Sequence, residues 1–144
     1  MRWHSGGVSD CIFCAIAAGA AEASVVYEDD AVVAFMDLRP VTPGHLLVIP
    51  RVHAAGLAEL DAAAGARVWQ AAQPLAAALR TSGLRCEGVN LFLADGVAAG
   101  QEVFHVHLHV LPRFAGDGFR IDAAWQFPPR STLDEHATAI RARL

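Results

Sequence analysis

The stretch His105-Val106-His107-Leu108-His109-Val110-Leu111-Pro112-Arg113 decides how the rest of the chain is read. Three imidazoles alternate with branched apolar residues. A β-strand sends successive side chains to opposite faces, so His105, His107 and His109 share one face while Val106, Leu108 and Val110 turn to the core. On a helix the same residues would scatter around the barrel. A single histidine in such a place reads as a satisfied core or edge residue. Three along one strand each need polar partners once desolvated, and that cost points to function.

The surroundings bound that function. A chain of 144 residues suffices for one domain with a real core, and 10–144 reads as that domain behind a flexible lead-in at 1–9. The hydrophobic fraction of 54%, much of it alanine, argues against disorder, and no apolar run reaches membrane-spanning length. The first residues, Met1-Arg2-Trp3-His4-Ser5-Gly6-Gly7, lack the apolar segment of a secretion signal, so a cytoplasmic location is expected. With a formal charge of -4 and no lysine, a basic face for extended nucleic acid is not expected; a small polyanion held by arginines, imidazoles and backbone N–H groups is. Three cysteines do not suggest a disulfide scaffold.

In chain order, Asp10 and Gly19 suit the two ends of a short helix that carries Cys11 and Cys14 on one face. Val25–Glu28 and Ala31–Met36 flank Asp29-Asp30 as a hairpin, and His45–Pro50 is a third strand after a Pro/Gly loop. From Leu57 the apolar spacing becomes helical (Leu60, Ala64, Val68, Ala72, Leu75, Leu79), with Asp61 as N-cap and Gly83 as stop. Pro74 costs about 3 kcal/mol in a helix interior, so a kink or break is expected there. Gly88–Leu93 is a fourth strand and Val103–Leu111 a fifth. The loop 94–102 between them is no Walker loop, but its glycines allow backbone amides to approach a phosphate. After an irregular tail, Thr132-Leu133-Asp134-Glu135 has capping-box spacing for a last amphipathic helix.

Two kinds of chemistry follow. A neutral imidazole, with an ordinary pKa near ~6.5, is nucleophilic at neutral pH, so His107 can attack phosphorus or a carbonyl, with His109 donating to an oxygen. Cys11-x-x-Cys14 with His53 and one triad imidazole makes a tetrahedral Cys₂His₂ set for zinc; the alternative is two small buried cysteines. Cys86 reads as core.

These residues together resemble the histidine triad (HIT) family of nucleotide hydrolases and transferases. The likeness rests on the histidine strand, on Pro43-Gly44-His45 and Val48-Ile49-Pro50-Arg51-x-His53, on Gly100-Gln101, and on Cys11-Ile12-Phe13-Cys14. It implies an α+β fold with a five-stranded antiparallel sheet, one long helix and short terminal helices, in a homodimer. It implies reaction at the α-phosphate of a purine nucleotide derivative through a nucleotidyl-histidine intermediate, with His107 the nucleophile and His109 a phosphate contact. On the same basis Asp37, Leu38, His45, Asp95, Gly100 and Gln101 meet the substrate, and in zinc-bearing members the ligands fall on Cys11, Cys14, His53 and His105. Two positions depart from the pattern. Ala94-Asp95 stands where the family often has an amide side chain, and Glu102 where a serine or threonine assists the leaving group. Glu102 replaces that hydroxyl as the acid only if its carboxyl is protonated. Arg113, Arg120 and Arg130 are further phosphate-binding candidates, with solvated surface the default reading for the last two. The competing readings are a nucleotide-binding module with little turnover, and a hydrolase whose three imidazoles hold a catalytic metal.

Overall fold

Apolar residues on both faces of three central strands create two cores, and the helices are placed by what those cores need. The computed structural model describes residues 10–144; the expected flexible lead-in at 1–9 lies outside the described residues. The elements are α1 (Ile12–Ala17), β1 (Val25–Glu28), β2 (Val32–Met36), β3 (Leu46–Pro50), α2 (Ala62–Thr81), β4 (Gly88–Phe92), β5 (Leu108–Arg113) and α3 (Arg130–Arg141). The strands form one antiparallel sheet in the order β1-β2-β3-β5-β4. Alternate residues Val32, Ala34, Leu46, Val48, Leu108 and Val110 pack against Val68, Ala71, Ala72 and Leu79 of α2. Their neighbours Val33, Phe35, Leu47 and Ile49 pack on the opposite face against Phe13 of α1. The histidine face is therefore covered by a second, smaller core.

The hairpin is set by Asp29, whose Oδ1 accepts from the N–H groups of Ala31 and Val32 at 2.8 and 2.9 Å. Four local expectations need correction. The N-cap of α1 is Cys11 rather than Asp10, its Sγ accepting from the Cys14 N–H at 3.4 Å. The long helix is one continuous element through Pro74. Pro74 and Gln70 both face water, so the Gln70 carbonyl that loses its helical donor is solvated instead. α3 begins at Arg130 after Pro129, so Thr132 lies in its first turn and no capping box forms. Finally, β5 starts at Leu108, not Val103. Its pairing with β3 ends at Val48–Leu108, and beyond it the Val106 N–H turns to the Ala54 carbonyl at 2.8 Å. β5 also runs on through Pro112, whose carbonyl accepts the Thr42 hydroxyl at 2.7 Å.

Candidate active site and metal centre

The segment from His105 to His109 threads from a buried loop into β5, and each ring meets a different environment. His105 is fully buried and its Nε2 lies 2.7 Å from the Pro50 carbonyl. A carbonyl only accepts, so Nε2 carries the proton and Nδ1 presents a lone pair. That Nδ1 is 3.4 Å from Cys11 Sγ and 3.5 Å from Cys14 Sγ, and His53 Nδ1 is 3.3 Å from Cys14 Sγ. The four donor atoms lie within 4.8 Å of one another. A tetrahedral zinc site with N and S ligands has N···S edges of about 3.5 Å, so the donor set fits that ion. Pairing of the far nitrogen of His105 with a backbone carbonyl is the outer-shell contact such a ligand needs. Burial and the adjacent Cys11 thiol push the Cys14 thiol up to about 11, so a cation is needed to hold the Cys14 sulfur as a thiolate.

His107 has the opposite polarity. Its Nδ1 is 2.7 Å from the His105 carbonyl, which puts the proton on Nδ1 and leaves Nε2 with a free lone pair. Phe13 meets the ring edge-on at 5.1 Å, and burial holds the imidazole below its ordinary pKa against the pull of the His105 carbonyl. The ring is neutral at neutral pH, oriented and nucleophilic at one nitrogen.

His109 is set by a relay. The Val41 N–H donates to His45 Nδ1 at 3.1 Å, so the His45 proton sits on Nε2, 2.8 Å from His109 Nδ1. His45 donates there, and the His109 proton is left on Nε2. Adjacent rings thus offer a lone pair (His107) and an N–H (His109), their centroids 5.0 Å apart. Desolvation, then the neighbouring His107 and His45 rings, bring His109 down to about 4; burial lowers His45 too. Asp37 Oδ2 lies 3.5 Å from His45 Nε2 and 4.0 Å from His109 Nδ1. Burial outweighs that carboxylate, so these are neutral contacts rather than ion pairs at neutral pH.

Asp37 also accepts the Arg39 N–H at 2.8 Å, which turns the following loop outward and leaves Leu38 97% exposed. Arg39 reaches Glu102 at 3.4 Å, both side chains open to water. Ala94 is buried. Three expected substrate contacts are used inside the protein instead. The Gln101 side chain is buried, accepting from the Gly96 N–H at 2.8 Å and donating to the carbonyls of Ala55 and Val103 at 2.6 and 3.1 Å. The N–H groups of Ala99, Gly100 and Gln101 donate back to Gly96 and Val97, so the loop amides close their own turn rather than opening toward a phosphate. Asp95 Oδ1 accepts from the Leu57 N–H at 3.2 Å, tying two loops together. Arg113, another phosphate candidate, is held by Asp117, Asn90 and the Phe119 carbonyl. Sequence reasoning missed Phe13, Arg39, Val41 and Phe92, which packs edge-on to His109 at 5.8 Å. Their roles arise from contacts distant in the chain and carry no local signal.

The open antiparallel sheet and the imidazole cluster on one of its faces are features of a known domain family. Residues 18–116 match the HIT domain model, and the chain belongs to the HIT domain family. It is 46% identical over 111 residues to an uncharacterized HIT-like protein of Borreliella burgdorferi, covering 76% of this chain and 80% of that one. A crystal structure of a HIT family protein from Bacillus anthracis superposes with a TM-score of 0.83 at 36% identity, covering 93% of this chain and 96% of the other. A Zn-bound histidine triad family protein from Mycobacterium smegmatis does so with a TM-score of 0.75 at 38% identity, covering 92% and 99%.

Proposed function

We propose that the protein is a nucleotide hydrolase or nucleotidyl transferase acting at the α-phosphate of a purine nucleoside phosphoramidate or dinucleoside polyphosphate. Family membership supports a function of the nucleotide-binding and hydrolase type. The observation that carries the finer reading is the fixed tautomer of His107, its Nδ1–H donated to the His105 carbonyl and its Nε2 lone pair free. In this reading Nε2 attacks the α-phosphorus, and an N–P bond forms as the P–O or P–N bond to the leaving group breaks. The His109 Nε2–H donates to a non-bridging oxygen as charge develops there. The leaving group takes its proton from water at the exposed side of the site, where we assign Glu102, paired with Arg39, as its neighbour. Water or another acceptor then takes the nucleotidyl group and restores His107. Asp37 holds the ribose hydroxyls through its outer carboxylate edge, and the exposed Leu38 lies against the base. His45 positions His109. Gly100 and Gln101 keep the loop closed, and Asp95 fixes it to the Leu57 turn.

Cys11, Cys14, His53 and His105 are the residues that would hold zinc. Bound there, the ion supplies charge neutralisation for the two thiolates and a cross-link from α1 to the sheet; no reaction step runs through it. A homodimer is part of the same reading.

The test is turnover of adenosine phosphoramidate and of diadenosine polyphosphates by the wild type and by His107→Ala, with and without chelator. The expected loss in the variant is on the order of 10³-fold or more, about 4 kcal/mol of barrier, with turnover surviving mild chelation. An inactive wild type that still binds AMP would favour a binding module. Turnover that stops on chelation would favour a catalytic metal. Mass spectrometry of the acid-quenched reaction should find the nucleotide on residue 107.

A further inference from the structure

One ring of α1 lies between the metal donors and the nucleophile. Phe13 is the buried residue of that helix, and in the chain it falls between Cys11 and Cys14, the two sulfur donors. Its ring meets Phe35 of β2 edge-on at 5.4 Å, His105 at 6.0 Å and His107 at 5.1 Å. His53 meets His105 edge-on at 5.2 Å, and His107 meets His109 at 5.0 Å. A continuous line of packed rings thus runs from the donor set to the triad. Edge-on pairs at such separations are favourable and directional, so a shift at one end is felt at the next ring.

His107 needs such support. Its hydrogen bond to the His105 carbonyl, 2.7 Å long, fixes the tautomer. One bond at one edge still leaves the plane of an imidazole free to swing, because the torsion that turns the ring is soft. The Phe13 edge and the His109 ring take up that freedom. Phe13 in turn is only as fixed as α1. Six residues are too few to hold a helix in water, and this one is capped by the Cys11 sulfur, which accepts the Cys14 N–H at 3.4 Å. The same two sulfurs lie 3.4 and 3.5 Å from His105 Nδ1. His105 therefore joins the clusters twice, through its ring to the sulfurs and through its carbonyl to His107.

We propose that Phe13 is a positioning residue for His107, and that Cys11, Cys14 and His105, when they hold an ion, fix the His107 ring through it. With the sulfurs unheld, the Phe13 edge loosens and the His107 ring samples several orientations. With the sulfurs drawn together, both rings are fixed. The chemistry at phosphorus is unchanged; what changes is the fraction of time the Nε2 lone pair is aligned for attack.

The kinetic part of the test rests on His107 being the nucleophile, as proposed above; the spectroscopic part does not. Nitrogen NMR spectra of the histidine rings in the zinc-loaded protein should show His107 as a single Nδ1–H tautomer whose proton exchanges slowly. Stripping the ion from the wild type with a strong chelator should broaden the His107 signals and speed that exchange on the order of tenfold or more, and added zinc should reverse both. Phe13→Leu should broaden the same signals even when zinc is bound. Ile16→Ala thins the same small core and should lower Tm without broadening them. In turnover, Phe13→Leu should lower kcat on the order of tenfold or more and leave KM within about twofold. A His107 signal as sharp in the stripped protein, or in Phe13→Leu, as in the loaded wild type would overturn the proposal. So would equal broadening in Ile16→Ala. Should Phe13→Leu fail to fold, the stripped and reloaded wild type decides alone. Turnover that survives His107→Ala would remove the nucleophile reading and leave the coupling of Phe13 to His107 standing.

Discussion

Each imidazole of the triad is given its tautomer by a partner that can only accept or only donate. The carbonyls of Pro50 and His105 fix the first two rings, and the Val41 N–H fixes His45 and through it His109. This has a consequence for pH. His109 is brought from 6.5 to about 4, so in the folded protein it stays neutral where a free imidazole would be charged. As pH falls from about 6.5 toward 4, the unfolded chain binds a proton that the native state does not, so stability falls with pH over that window. The loss from this group should approach about 3 kcal/mol at its lower end, read as denaturant midpoints against pH. His109→Gln should flatten that dependence. Were the slope between pH 6.5 and 4 the same in both proteins, the relay would not be buried and neutral as described.

At the scale of the element, the loop from Asp37 to His45 depends on Gly44. It adopts φ of +99°, and an added Cβ would lie 3.0 Å from Leu84 Cδ1, 3.2 Å from Leu79 Cδ2 and 3.3 Å from Pro112 Cγ. Gly44→Ala therefore combines a left-handed backbone with crowding between α2 and β5, and should cost more than about 1 kcal/mol in stability. Because His45 follows directly, KM should rise as well. Thermal melts that match the wild type would show that the turn relaxes freely. The strands and the long helix were legible from period alone, because their apolar spacing is local. The survival of α2 through Pro74 was not. It depends on Gln70 and Pro74 facing water, which only the packing of Val68, Ala72 and Leu79 decides.

Across the whole molecule, α1 is joined to the sheet by Phe13 in the smaller core with Ile12, Ile16 and Ala17 packed beside it, by Arg51 donating to the Ala17 carbonyl at 2.6 Å, and by the four donors Cys11, Cys14, His53 and His105. Zinc at those donors should stabilise the fold by about 2.7 kcal/mol at a hundredfold excess over Kd, on the order of 10 °C in Tm for a chain of this size. Chelator should reverse the gain and Cys14→Ser should abolish it. A melting point indifferent to metal in the wild type would leave the cysteines as packing residues.

The sequence by itself determined four strands, the long helix, the hairpin at Asp29 and the Leu108–Leu111 part of the fifth strand, because alternation, turn residues and helical spacing act within a few residues of one another. It ran that strand too far back, over His105 and His107, which lie in the loop before it. Its residues alone grouped Cys11, Cys14 and His53 with one imidazole of the triad, and only the family resemblance singled out His105. Only the tertiary structure decided which nitrogen of each ring is free. It also tied Gln101, Asp95 and the amides of Ala99 and Gly100 into hydrogen bonds within the protein. Those outcomes depend on which carbonyl or N–H group arrives from a distant part of the chain, and no local pattern of residues records that.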